Sequence, residues 1–245
     1  FPQYYGHDNG QILQKNMTIP RAAHLIAVSE QTKKDMCRIM GVKEEQVSVV
    51  YHGADQTPHV PSTGNDKDYE YLLYVGDILF YKNFASFAKS CLPILKRHRD
   101  MKIICTGKPF TEEEKVMFKE WNMENRFVQL FVKTNQEMLD LYHHAVAFVY
   151  PSSYEGFGIP ILEAYKAGCP VFLNHASCFP EIAGDAAVYF NIDSQKSNFE
   201  EKFEDFYHGN ANERKVLIEK QTARLKLYSW RKSAQQLADI YNRFG

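Results

Sequence analysis

The sequence predicts an α/β protein whose larger part is a doubly wound, Rossmann-like parallel sheet. From Tyr69 onward, short apolar runs of strand length alternate at close spacing with segments of helical length. This alternation is typical of a parallel sheet in which helices connect consecutive strands. Glycines and prolines mark the loops between the segments, where they interrupt regular structure.

The composition is that of an ordinary globular protein. The chain has 245 residues, of which 44% are hydrophobic and 24% charged, enough for one large domain or for a domain and part of another. Its 29 basic and 30 acidic residues give a formal net charge of −1. A nucleic-acid-binding protein would carry a basic surface, so nucleic acid is not an expected partner.

The cysteine pattern favours a reducing compartment. The five cysteines are scattered, odd in number and without Cys-x-x-Cys spacing, so they indicate neither a disulfide framework nor a zinc site. No apolar stretch approaches the ~18 residues of a membrane span. Phe1 opens no signal peptide, and the missing initial Met leads us to expect part of a longer chain. We therefore expect a cytoplasmic protein.

Residues 1–55 are predicted to be the last elements of an N-terminal domain. Ser29 is a good N-cap for the helix that follows it, and Gly41 a good C-terminal stop. Residues 56–68 carry prolines, a glycine and several polar residues, which is typical of a linker. The predicted elements before this linker are a short strand within 21–28, a helix over 30–40 and a strand over 47–51.

Residues 69–228 are predicted to form a second domain, and residues 229–245 a C-terminal helix. Thr111 and Glu114 fit a capping box at the start of one helix. The predicted strands are 71–76, 101–106, 127–131, 146–150, 170–173 and 188–190, and the other predicted helices are 84–98, 135–144, 195–208, 212–227 and 230–243. The last helix places Trp230, Ala234, Leu237, Ile240 and Tyr241 on one face.

The loop from Tyr150 to Glu163 carries the clearest functional pattern. Glu155 follows a strand, Pro160 suits the first position of a helix, and Glu163 is expected in that helix's first turn. Free N–H groups and the macrodipole at a helix N-terminus attract anions. A ligand that bears both phosphate and hydroxyl groups would fit here. The alternative is that the glycines only turn the chain and that Glu163 complements the helix dipole.

This loop resembles the signature of the family-four retaining glycosyltransferases of GT-B architecture. Seven residues separate Glu155 from Glu163, and the first Glu is followed by Gly-Phe-Gly-Ile-Pro. The neighbouring segments 150–152, 168–171 and 180–187 match the family as well, and the similarity extends from about Ala23 to the C-terminus. The resemblance implies the C-terminal, donor-binding half of a GT-B enzyme, with an acceptor domain before it and a final helix that crosses back to that domain.

The resemblance also implies that Lys82 binds the donor diphosphate and stabilises it as the leaving group. Lys82-Asn83 matches the family's Lys-Asn pair, and an ammonium can neutralise the charge that develops on phosphate. Many relatives also carry an Arg in this loop, where the present chain offers Asp77 and Tyr81. The departure puts a clamp of two cations around the diphosphate in doubt. Lys108 could substitute for the missing Arg, or it could be an ordinary surface lysine.

The family's remaining donor contacts map onto the same two loops and one more strand end. Glu163 corresponds to the ribose-binding carboxylate, and Glu155 to the residue that holds the transferred sugar near the reaction centre. Phe131, Val132 and Lys133 lie where the base usually binds, although Phe131 could equally belong to the core. The further implied donor contacts are Gly76, Gly156, Phe157, Gly158 and Ile159, and Asn174, Ser177 and Glu181 match the loop after strand 170–173.

The implied mechanism uses position and electrostatics and needs no metal. Retaining enzymes of this fold are often described by front-face displacement, so Glu155 is not expected to be a nucleophile. His143 and His144 are adjacent on a predicted helix and point in different directions, which argues against joint chelation.

We therefore expect a retaining hexosyltransferase fragment that acts on a nucleotide-sugar donor. By analogy with the family, the form of the motif leans toward mannose from GDP-mannose, and a UDP-linked hexose is the alternative donor. The acceptor is expected to be a glycan or a lipid-linked molecule bound by the N-terminal domain, with peripheral association at the inner face of a membrane left open. The fragment should bind nucleotide but turn over little. Alternatives are a non-catalytic nucleotide-sugar-binding module and another GT-B enzyme, such as a phosphorylase or an epimerase.

Overall fold

The computed structural model describes residues 10–57, 59–62 and 68–244, which form two compact units. The smaller unit contains the described residues up to Gly53 and those from Tyr228 onward, and the larger unit runs from Ala54 to Leu227. In chain order, the α-helices and β-strands of these residues are α1 (Gly10–Thr18), β1 (Leu25–Ala27), α2 (Glu30–Met40), β2 (Val47–Val49), β3 (Glu70–Val75), α3 (Phe84–Ser90), α4 (Leu92–Arg97), β4 (Met101–Thr106), α5 (Glu112–Glu120), β5 (Phe127–Leu130), α6 (Asn135–His144), β6 (Ala147–Tyr150), α7 (Ile159–Lys166), β7 (Val171–Asn174), α8 (Phe179–Ala183), β8 (Val188–Phe190), α9 (Phe199–Tyr207), α10 (Ala211–Leu225) and α11 (Trp230–Phe244).

The smaller unit contains a parallel pair of strands, β1 and β2, in which Leu25 lies opposite Val47. Helix α2 begins and ends as predicted: Ser29 Oγ accepts from the Thr32 N–H at 3.0 Å, and Gly41 adopts a left-handed conformation with φ 67°. Side-chain capping of a free N–H and a left-handed glycine at the C-terminus define the two ends of the helix.

Helix α11 belongs to the same unit, but its most buried residue does not lie among the apolar residues predicted to share one face. Trp230 and Tyr241 are exposed, whereas Ser233 is buried and donates a hydrogen bond to Tyr51 O at 2.6 Å. A Cβ at Gly53 would lie 2.1 Å from the Trp230 backbone nitrogen. The Ser233 hydrogen bond and the close approach of Gly53 to the Trp230 backbone fix this side of α11, and a hydrophobicity pattern does not register such contacts.

The larger unit is built on a six-stranded sheet in the order β5-β4-β3-β6-β7-β8, with every neighbouring pair parallel. The predicted doubly wound parallel sheet is confirmed. The chain first builds the sheet outward from β3 to β5 and then returns to place β6 on the other side of β3. Between β3 and β6 the direction of winding reverses, and in open α/β sheets ligands bind at such a point beyond the carboxyl ends of the strands.

One face of this sheet supports an aromatic core. Leu72 and Tyr74 of β3 alternate with residues of the opposite face, as the two-residue period of a strand requires. Their neighbours include large aromatic side chains that are almost fully buried and contact one another edge to face or stacked. These rings are Phe84, Phe87, Phe118, Phe127, Phe172, Phe199 and Phe203.

The structure changes several predicted boundaries. The helix predicted over 84–98 is two helices, α3 and α4, because Pro93 in the first turn of α4 has no N–H to continue the hydrogen-bond ladder. The short helix α8 was not predicted. The strand predicted over 127–131 ends at Leu130.

Part of the predicted linker packs on α6. Asp140 accepts hydrogen bonds from the backbone and side chain of Ser62 and lies 2.9 Å from His59 Nε2. Residues 58 and 63–67 of the same stretch lie outside the described residues. Among the described helices, none is both long and apolar enough to cross a membrane.

Candidate active site

Two loops meet at the carboxyl ends of β3 and β6, where the winding of the sheet reverses. One runs from Gly76 to Asn83 and the other from Pro151 to Gly158. The Ser153 N–H and hydroxyl both donate to Tyr81 O, at 2.8 and 2.9 Å, and Asn83 Nδ2 donates to Pro151 O at 3.0 Å. These bonds hold the loops together as one wall of the site.

The first loop directs Lys82 toward the second. A 3₁₀ turn at Phe80–Lys82 is followed by Asn83 in a left-handed conformation with φ 53°, which leads into α3. Gly76 has φ 113°, and a Cβ there would lie 2.9 Å from Lys82 Nζ. Glycine at position 76 therefore serves two purposes, because it permits the backbone conformation and leaves space for the ammonium group.

The second loop ends where α7 begins. Gly158, with φ 96°, is the residue before the helix, and Pro160 lies in the first turn, where its missing N–H costs nothing. The sequence had predicted Glu163 in the first turn of this helix. Because α7 begins at Ile159, Glu163 lies in the second turn. The prediction was wrong because it took Pro160 as the first helical residue and treated position 163 as still belonging to that turn.

Lys82 and Glu155 form an ion pair in the centre of the site. Lys82 Nζ lies 3.6 Å from Glu155 Oε1, and the two side chains are only 13% and 17% exposed. The hydroxyl of the fully buried Ser152 donates to the same oxygen at 2.9 Å. The carboxylate is therefore oriented by a neutral donor as well as by a charge.

Tyr150, the last residue of β6, is a further partner of Glu155. The sequence had assigned it no functional role. Burial first, and then the charge and hydrogen bond of the Glu155 carboxylate, raise the pKa of the Tyr150 phenol far above its ordinary value. The phenol therefore stays protonated and can donate to Glu155. Lys82 Nζ lies 5.7 Å from the centre of the Tyr150 ring, within the range of a cation–π contact.

The backbone of the Glu155 loop is held from the end of β7. Ser177 Oγ accepts from the Glu155 N–H at 3.2 Å and donates to Glu155 O at 2.8 Å. Asn174 Nδ2 donates to Ser152 O at 3.1 Å, and the Cys178 thiol donates to Glu155 O at 3.2 Å. The residues that the sequence matched to a family loop at 174 and 177 thus position the loop that carries Glu155.

Glu163 is half-buried between α7 and α6. Its Oε2 accepts a hydrogen bond from the Tyr142 hydroxyl at 3.1 Å. Burial raises the pKa of the Glu163 carboxyl, and the Tyr142 hydrogen bond offsets this effect only in part. Tyr142 was not among the predicted site residues, and no local sequence signal distinguishes it from a core tyrosine.

The other side chains predicted to contact the donor differ in their exposure to solvent. Phe131 lies just beyond β5 and is 67% exposed, so it is not a core residue. Val132 is half-buried and Ile159 is exposed. Phe157 is a core residue, so any ligand contact it makes comes from its backbone.

Lys108, which follows β4, is paired with Asp77, the residue found where many relatives carry an Arg. Its Nζ lies 3.3 Å from Asp77 Oδ2, and its N–H donates to Asp77 Oδ1 at 3.1 Å. The pair is largely exposed, so its ammonium is screened by water.

The six-stranded parallel sheet, with a lysine, a buried serine hydroxyl and two carboxylates beside its switch point, defines a protein of the doubly wound α/β class. Within that class, residues 55–224 match the family Glycosyl transferases group 1, and the chain belongs to this family. The predicted family, of GT-B architecture and similar to family four, is confirmed.

The most similar proteins include enzymes that build bacterial O-antigen. The chain is 28% identical over 181 residues to the O-antigen chain mannosyltransferase RfbU of Salmonella typhimurium, covering 74% of this chain and 50% of that protein. It is 24% identical over 259 residues to the O-antigen chain mannosyltransferase B of Escherichia coli, covering 98% of this chain and 66% of that protein. The chain therefore spans about half to two thirds of the length of these relatives.

Solved structures share the fold at lower identity. HepE of Anabaena, crystallised with UDP-glucose, has a TM-score of 0.77 at 16% identity, covering 99% of this chain and 70% of that one. WaaG, a glycosyltransferase involved in lipopolysaccharide biosynthesis, has a TM-score of 0.72 at 14% identity, covering 95% and 68%.

Proposed function

We propose that this chain is the donor-binding part of a retaining glycosyltransferase that moves a hexose, with mannose favoured, from a nucleotide sugar to a glycan or lipid-linked acceptor. The observation that carries the proposal is the Lys82–Glu155 pair, held by Ser152 at the point where the sheet reverses. We expect the acceptor to be bound mainly outside residues 54–227.

Donor binding would replace one partner of Lys82 with another. A diphosphate carries more negative charge than a carboxylate, so the ammonium would move from Glu155 toward phosphate when the donor enters. Glu155 would still be oriented by Ser152 and Tyr150 and could accept hydrogen bonds from hydroxyls of the transferred sugar. The N–H groups around Gly156 and at the start of α7 would add donors for the same ligand.

The other end of the donor would lie across the sheet. Glu163 would accept hydrogen bonds from the ribose hydroxyls, which would favour the ionised carboxylate that burial disfavours. The strand order places β5 two strands from β3, or about 10 Å at ordinary strand spacing. The exposed ring of Phe131 at the end of β5 is then available for the base.

The chemical step would depend on positioning and electrostatics. As the bond between sugar and diphosphate breaks, negative charge grows on the leaving phosphate, and Lys82 would stabilise it. Glu155 would hold the sugar in the reactive orientation and take no covalent part. We propose that this step uses no metal or other cofactor and that the nucleotide sugar is a substrate.

The names of the relatives favour mannose, and a titration tests both sugar and nucleotide. Calorimetry on residues 1–245 with GDP, UDP, GDP-mannose and UDP-glucose should give the tightest binding with GDP-mannose. If the folded protein binds none of the four, the proposal is wrong. If UDP-glucose binds more tightly, the donor-binding role stands and the mannose assignment fails. We propose a cytoplasmic location for the full-length protein, where nucleotide sugars are available.

A further inference from the structure

Three potential metal ligands meet at the edge of the larger unit where the strands begin. His98 Nε2 and His208 Nε2 lie 3.1 and 3.2 Å from Glu204 Oε2, and one ligand atom from each residue falls within 4.8 Å of the other two. His98 follows α4 and precedes β4, so the cluster lies at the amino-terminal ends of the strands. The candidate active site is at the opposite, carboxyl-terminal edge.

The fold brings these residues together over a long separation in sequence. Glu204 and His208 are four residues apart at the end of α9, a spacing that places two side chains on the same side of a helix. His98 arrives from α4, 106 residues earlier in the chain. Its ring contacts the ring of Tyr207, with centroids 4.6 Å apart, which restrains the imidazole beside the carboxylate.

The distances suit a tetrahedral ion. Zinc with N and O ligands at about 2.0–2.1 Å in tetrahedral geometry separates neighbouring ligand atoms by about 3.3 Å. The two measured separations, 3.1 and 3.2 Å, are close to that value. Two imidazoles and one carboxylate are a ligand set that zinc uses when water completes its coordination.

The surroundings of Glu204 prepare it for this role. The Arg97 guanidinium and His98 Nε2 both donate hydrogen bonds to its carboxylate. Arg97 pairs with Oε1 of Glu204. Both imidazoles approach Oε2, and His98 Nε2 also lies 3.1 Å from Oε1. The guanidinium would then orient a metal-bound carboxylate from its other oxygen, as outer ligands commonly do.

We propose that His98, Glu204 and His208 bind one Zn²⁺, with water as a fourth ligand, and that the ion fastens the end of α9 to the end of α4. The site is independent of the proposed transferase chemistry. Without a metal, the same three side chains form a network of hydrogen bonds between two imidazoles and a carboxylate.

Zinc titration of the metal-free chain distinguishes the two states. His208 is the side chain to replace because it is 65% exposed and its loss should leave the fold intact. Calorimetry with ZnCl₂ should detect one site in the unaltered chain and in His143→Ala, a control that removes a different exposed histidine. In His208→Ala and His208→Gln the affinity should fall by about tenfold or more, since one of three protein ligands is lost.

Stability gives a second, independent measurement. Excess Zn²⁺ should raise the Tm of the unaltered chain and of His143→Ala, because an ion that binds only the folded state stabilises it. The rise should be smaller in both His208 variants, and circular dichroism shows whether they are folded. Equal zinc affinity in the unaltered chain and the His208 variants would overturn the proposal, as would the absence of zinc binding to the unaltered chain.

Discussion

The ammonium of Lys82 lies 3.6 Å from the Glu155 carboxylate, and both side chains are largely shielded from water. Each group therefore neutralises the other in a site that we propose to bind a negatively charged diphosphate. We therefore expect removal of the Lys82 charge to weaken nucleotide binding and removal of the Glu155 charge to leave it unchanged or strengthen it.

Replacing Lys82 should weaken binding of every donor nucleotide. A charge-assisted hydrogen bond contributes about 1.5–3 kcal/mol, so Lys82→Met should lower the affinity for GDP by about tenfold to a hundredfold. Calorimetry with the folded variant measures this change. Lys108→Met is the matched control, because its ammonium is paired with Asp77 at an exposed position and should lose less than about threefold.

Replacing Glu155 should separate the sugar from the nucleotide. Glu155→Gln removes a negative charge beside the diphosphate, so GDP should bind as well as before or more tightly. GDP-mannose should lose its advantage over GDP, and transfer by the full-length enzyme should fall by about a hundredfold, as when a positioning contact at the reaction centre is lost. An unchanged transfer rate would favour a non-catalytic binding module.

Glycine at position 76 should matter for more than backbone conformation. Gly76→Ala places a Cβ at φ 113°, 2.9 Å from Lys82 Nζ, whereas Gly168→Ala places a Cβ at another positive φ, 68°, with no atom within 4 Å. Both variants should lose about 1–2 kcal/mol of stability in urea denaturation. Only Gly76→Ala should also weaken GDP binding, because it displaces the ammonium, and equal GDP affinity in the two variants would contradict this role.

Glu163 should make stability depend on pH in a specific direction. Its folded-state pKa is raised above its usual value near 4.5, so its protonated form stabilises the folded state below that pH. That contribution is lost as pH rises through the raised pKa. Urea denaturation between pH 4 and 8 should show Glu163→Gln losing less stability over this range than the unaltered chain.

The same substitution should weaken recognition of the ribose. GDP should bind more tightly than 2′-deoxy-GDP to the unaltered chain, and Glu163→Gln should reduce this difference because a neutral amide is a weaker acceptor than a carboxylate. Ser62→Ala, a surface change in the segment that packs on α6, leaves Glu163 in place and serves as the control, which should keep the preference for GDP. An unchanged preference in Glu163→Gln would assign the ribose contact to another residue.

The sequence by itself determined the parallel sheet, most helix boundaries and the loop that carries Glu155. These features depend on local signals: apolar runs of strand length, Ser29 and Thr111 as caps, Gly41 as a stop, and the spacing from Glu155 to Glu163. Each signal acts within about ten residues, so a single sequence is sufficient to recognise it.

Only the tertiary structure decided which distant groups became partners. Tyr142 reached Glu163, Lys108 paired with Asp77, and His98 met Glu204 across 106 residues of chain. Such pairs form because separate elements pack against the same sheet, and the packing of those elements is settled by burial of the whole core. A hydrogen bond or ion pair between them leaves no periodic pattern in the sequence, so its partners become visible only once the strands are ordered in space.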